Sequence, residues 1–135
     1  MKSNIDNIFE RLVRDEKALA ICGSMDIDWP GVTVNLNNTT LRFFKERNLL
    51  NKILGKQPGG PMTQLIGFNL KELRNKSLLH DYVKYVHDTQ MIYINRWGDL
   101  PVWGEVFKYI LPKHLDVDKS ISYYHGSVNQ TIHWY

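Results

Sequence analysis

The spacing of apolar side chains opens the chain on a helix. Ile5, Ile8, Phe9, Leu12 and Val13 fall at i, i+3, i+4, i+7 and i+8, an amphipathic stripe, with Ser3 placed to cap it. This predicts a helix over about residues 4–17. The apolar run 18–22 ends at Gly23 and predicts a strand; after the turn-forming DIDWPG, the alternation in VTVNL predicts a second. Thr39 and Thr40 are placed to cap a helix in which Leu41, Phe43, Phe44 and Leu50 are apolar and Arg42, Lys45, Glu46 and Arg47 face water.

GKQPGGP is too rich in glycine and proline for a helix or a central strand, and predicts a loop over about residues 54–62. Beyond it, TQLIGFNL reads as a strand, and KELRNKSLLHDYVKYVHD as one helix with Leu79, Tyr82, Val83 and Val86 inward. MIYIN reads as a short buried strand. Trp103, Val106, Phe107, Ile110 and Leu111 keep helical spacing, with Pro101 tolerated in the first turn and Pro112 ending the helix. SISYYH is a final strand, and residues 126–135 form a tail without a clear pattern. Strands alternating with helices give an α/β expectation: a small mixed sheet packed by three or four helices.

Composition narrows the classes. A chain of 135 residues with 43% hydrophobic and 12% aromatic content suits one domain over residues 1–135 that buries roughly two-thirds of its unfolded surface. The 17 basic and 14 acidic residues leave a charge of +3, but they are interspersed, which argues against nucleic acid as a partner. Cys22 is the single cysteine, so no internal disulfide forms and a reducing compartment, cytoplasmic by default, is expected. MKSNIDNIFERLVRDEK alternates charged and apolar residues, so it is expected to be neither signal peptide nor membrane span, and the chain to be soluble.

Two segments carry chemistry. The first is Arg96-Trp97-Gly98-Asp99 followed by Pro101 and Val102; the second is Tyr123-Tyr124-His125. Together with the preceding aromatic run they resemble the pattern of the fungal Golgi α-1,2-mannosyltransferases, the glycolipid 2-alpha-mannosyltransferase family. Weaker similarity reaches back through TTLRFFKERN and KALAICGSMD, covering nearly the whole chain.

The resemblance implies the C-terminal, acceptor-side half of a GT-A nucleotide-sugar transferase fold. It implies a reaction in which mannose passes from GDP-mannose to a glycan hydroxyl with retention of configuration. It also implies Mn2+, because a diphosphate leaving group must be neutralised as the glycosidic bond opens. On this reading His125 is the metal ligand, and Asp99 lies at the acceptor site. Arg96 reaches a phosphate or pairs with Asp99. Trp97 and Tyr124 bind substrate, Trp97 through a flat face for a sugar ring, whereas the helical spacing of Trp103 favours the core.

Three departures are visible. The acidic metal motif of the family would precede residue 1; the strand glutamate that would be the nucleophile is Asn69; and a histidine after the proline-valine pair is Trp103. An amide cannot attack the anomeric carbon as a carboxylate does. The competing expectation is therefore an inactive remnant that binds carbohydrate or protein, and a half-fold with open sheet edges calls for a partner chain or oligomer. A hydrolase would need paired carboxylates such as Asp26 with Asp28 or Glu105 with Asp99, which no sequence pattern supports.

Overall fold

The computed structural model describes residues 10, 12–14, 20–22, 25–49, 58–63, 66–111 and 121–123. The fold is mixed α/β and mostly helical. Of the opening helix, Glu10 and residues 12–14 are helical; Leu12 is buried, but Val13 is 81% exposed. Val13 therefore stands off the stripe on which its spacing placed it.

Strand β1 (Ala20–Cys22) is the middle of a three-stranded mixed sheet. It pairs antiparallel with β4 (Ile66–Phe68), Ala20 opposite Phe68, and parallel with β5 (Ile121–Tyr123), Cys22 opposite Tyr123. A separate antiparallel pair joins β2 (Met25–Ile27) to β3 (Gly59–Pro61), Asp26 opposite Gly60. Both strands of that pair fall where the sequence predicts turn or loop.

VTVNL is not a strand. Pro30 starts a 3-10 turn over Pro30–Val32, and Asn35 takes a left-handed conformation at φ 62°, which asparagine tolerates because its short side chain bonds locally. Helix α1 (Leu36–Glu46) starts directly afterwards, so Thr39 and Thr40 are buried inside it rather than capping it. Phe43 meets Tyr82 edge-on at 5.1 Å and Phe44 at 5.4 Å, each such pair adding about 0.5–1.5 kcal/mol beyond burial. The Arg47 guanidinium lies 3.9 Å above the Phe43 ring and covers the cluster from the solvent side.

The long helix expected over residues 71–88 is two helices, α2 (Leu70–Arg74) and α3 (Ser77–Asp88), separated where Lys76 is extended. Leu79, Tyr82 and Val86 are buried as expected, but Val83 is 56% exposed. MIYIN is also not a strand. Left-handed Gln90 and Arg96 bracket one helical turn, α4 (Met91–Ile94), that packs Met91 and Ile92 on the core and leaves Tyr93 and Ile94 exposed. A four-residue apolar run does not by itself distinguish helix from strand.

Helix α5 (Asp99–Glu105) runs directly into a π-helical turn over Val106–Ile110, where the Leu111 N–H reaches back to the Val106 carbonyl at 3.0 Å. Strand β3 crosses α5 at backbone contact. A Cβ on Gly104 would lie 1.7 Å from the Gly59 carbonyl oxygen, and one on Gly60 would lie 2.0 Å from that of Leu100. The Lys108 ammonium, one turn further on, donates to the Gly59 carbonyl at 3.0 Å. Among the described residues, no helix is long and apolar enough to cross a membrane.

Candidate functional site

The RWGD segment forms the entry to α5. Arg96 is exposed and left-handed at φ 54°. Trp97 turns inward: it is 6% exposed, and its indole N–H donates to the Val34 carbonyl at 2.6 Å across 63 residues of sequence. The indole is thereby a tie between the turn before α1 and the entry to α5. Trp97→Phe keeps an aromatic ring but removes the donor together with the pyrrole half of the indole, and is expected to lower stability by about 2–3 kcal/mol in urea denaturation. An unchanged midpoint would show that neither the hydrogen bond nor the lost ring volume matters to stability.

Gly98 is the N-cap of α5. Asp99 is the first residue of the helix, exposed, and its Oδ1 accepts the Leu100 N–H at 2.9 Å. The Asp28 carboxylate approaches the same entry, within 3.2 Å of where a Gly98 Cβ would stand. Among the described residues the ion pairs are Lys76–Glu72, Lys84–Asp88 and His87–Asp88, so Arg96 does not pair with Asp99. Asp99 and Glu105 are not a pair across a cleft either: they sit at opposite ends of one helix, about 9 Å apart along its axis.

Asn69 caps α2, its Oδ1 accepting the Glu72 N–H at 3.4 Å. That bond is long, so Asn69→Ala is expected to cost about 1 kcal/mol or less, with Asn69→Asp close to wild type in thermal unfolding. Asn69 also lines an open cleft of about 810 Å³ together with Leu12, Phe68, Lys71 and Glu72. The Glu72 carboxylate in that cleft stands 3.9 Å from the Lys76 ammonium. A second hollow, between α3 and α5, is only about 180 Å³ and lined mostly by apolar groups, below the size of pockets that enclose drug-sized ligands.

The sheet separates two of the expected site elements. Phe68, just before Asn69, pairs at the Ala20 end of β1, whereas Tyr123 pairs at the Cys22 end. Tyr124 and His125, the expected substrate and metal residues, lie outside the described residues. Among the described residues no three His, Cys, Asp or Glu side chains converge as a ligand set.

Trp103 is part of the packing, with ring centroids 4.6 Å from Phe68 and 5.7 Å from Phe107, so it links β4 to the π-helical turn.

The structure adds a polar cluster. Glu105 is 1% exposed, and its Oε2 has no hydrogen-bond partner. Burial raises its carboxyl to about 7, against a hydrogen bond from Thr40 and the nearby Lys108 charge, both of which favour the ion. The Thr40 hydroxyl lies 2.9 Å from the Tyr82 hydroxyl and 3.1 Å from the Leu36 carbonyl. Burial pushes the Tyr82 phenol up, so it stays protonated. The sequence signal was a single glutamate inside the apolar run VWGEVF, at helical spacing from Pro101.

No family model, curated protein or solved structure matches the chain.

Proposed function

We propose that this chain is a glycosyltransferase-like protein, derived from an enzyme that moves mannose from GDP-mannose to a glycan hydroxyl, and that its sugar site is the cleft beside Asn69. The observation that carries the reading is the position of Asn69: the residue aligned with the nucleophile of the resembled family lines a cleft of about 810 Å³, a size that accepts a sugar or nucleotide sugar. The exposed ends of Lys71 and Glu72 supply hydroxyl-binding groups there, and Phe68 an apolar wall. On this reading Mn2+ is held in part by His125, and Asp99, Arg96 and Tyr124 serve the acceptor and phosphate side. The same proposal takes the chain as the acceptor-side half of a GT-A fold, on the resemblance together with a three-stranded mixed sheet in a mostly helical fold.

A second reading, a non-catalytic module that binds carbohydrate or protein, is favoured by the chemistry at residue 69. An amide that caps a helix is not a nucleophile, and the carboxylate in the cleft, Glu72, has the Lys76 ammonium beside it. Calorimetric titration with GDP, GDP-mannose and mannose oligosaccharides, with and without Mn2+, separates the two. Metal-dependent nucleotide binding that His125→Ala abolishes supports the transferase site. Oligosaccharide binding without nucleotide binding supports the module, and no binding of any of them at millimolar concentration overturns both sugar readings.

A further inference from the structure

Glu105 and Gly59 make competing claims on one cation. The Lys108 ammonium donates to the Gly59 carbonyl at 3.0 Å, which ties the π-helical turn to β3. It is also the positive group that acts on the buried Glu105 carboxyl three residues earlier. From α1 the carboxyl meets the Thr40 hydroxyl. From α3 the Tyr82 phenol feels its charge, as does Tyr109 in the same π-helical turn.

We infer that Glu105 is a protonation switch acting on the seat of strand β3: as the neutral acid it leaves Lys108 on the Gly59 carbonyl, and as the carboxylate it draws the ammonium away. The hydroxyl chain accommodates both states. Thr40 and Tyr82 each carry one proton, so the ion is served by Tyr82 donating to Thr40 and Thr40 donating to Glu105. The acid reverses the order, its own proton going to Thr40 while Thr40 donates to Leu36 or Tyr82. In the ion one carboxylate oxygen, Oε2, still lacks a donor, and a buried unsatisfied anion attracts the nearest mobile cation. The cation whose charge acts on Glu105 is Lys108, and its side chain is long enough to pivot.

Loss of the Lys108 bond leaves β3 held to α5 by contact at Gly59, Gly60 and Gly104 and by its pairing with β2. The device therefore acts on β2 and β3 and leaves the α1–α3 core in place. Burial places the transition near neutral pH, at about 7.

Amide exchange tests this, corrected for the intrinsic pH dependence of the chemistry. The reporter for β2–β3 is the Asp28 N–H, which donates to the Pro58 carbonyl at 3.2 Å, and the core reference is the Val86 amide in α3. Across about pH 5.5 to 8.5 the Asp28 protection is expected to fall about tenfold in the wild type through local opening, and to stay below that of Val86, which follows the global stability, at every pH. Glu105→Gln, which cannot ionise, keeps Asp28 protection flat and high, and Lys108→Met keeps it flat and low. A flat wild-type profile, an equal fall in Glu105→Gln, or protection at Asp28 equal to that of Val86 at every pH each overturns the inference.

Discussion

Gly104→Ala is expected to destabilise the protein by at least about 3 kcal/mol, the upper end of the usual cost of overpacking. The added methyl would stand 1.7 Å from the Gly59 carbonyl oxygen and 2.8 Å from the Gly60 Cα. Both are backbone atoms, so relief requires β3 to move off α5, not a rotamer change. Gly60→Ala meets the Leu100 carbonyl at 2.0 Å and the Gly104 nitrogen at 2.7 Å, and carries the same expectation. Gly31→Ala is the control. The three atoms nearest its methyl would all belong to the ring of Trp29, which is 72% exposed and can swing aside, so a change within about 0.5 kcal/mol is expected. Urea denaturation followed by circular dichroism compares the three, and equal midpoints for Gly104→Ala and Gly31→Ala would remove the close crossing of β3 and α5.

The second large effect is a loss of stability as pH rises, the reverse of what paired carboxylates produce. Glu105 titrates at about 7 in the folded protein against 4.5 when free, because burial disfavours its charge. A raised pKa means that the folded state holds the proton more tightly. The stabilisation is complete below about pH 4.5 and is lost as pH climbs to and through 7. The difference amounts to about 3 kcal/mol. Asp88 works in the opposite direction: hydrogen bonds from Lys84 and then His87 hold it below its ordinary value, so its contribution is lost only at acid pH and leaves this window clear. Wild-type urea midpoints are expected to fall between pH 5 and pH 8, and those of Glu105→Gln to stay level. Identical slopes for the two proteins would place the titration elsewhere.

These two expectations rest on features with little trace in the sequence. Gly59, Gly60 and Pro61 read as loop because local propensity weighs glycine by its entropy and proline by its missing donor. What makes them a strand is pairing with β2, and α5 approaches that strand so closely that only a residue without a Cβ fits at position 60. Glu105 reads as one charged residue among apolar neighbours, and its burial follows from α1 and α3 closing over the same face of α5. Trp97 shows the same limit at the candidate site. Its place in RWGD suggested a face for a sugar, whereas the Val34 carbonyl that receives its N–H is 63 residues away and invisible to spacing.

The amphipathic pattern by itself picked out Phe43 and Phe44 of α1, Leu79, Tyr82 and Val86 of α3, and the inward set Val106, Phe107, Ile110 and Leu111, though it also placed Val83 inward and missed the burial of Leu36, Thr39 and Thr40. It also located β1, β4 and β5. In each case one face must leave water, and its period is written into the chain. Only the tertiary structure decided that MIYIN is a helical turn, that a glycine-rich segment is a strand, and that Asn69 opens on a cleft while Tyr123 lies toward the other end of β1. Those outcomes depend on which backbone lies against which, and contacts between distant segments leave no period in the sequence that forms them.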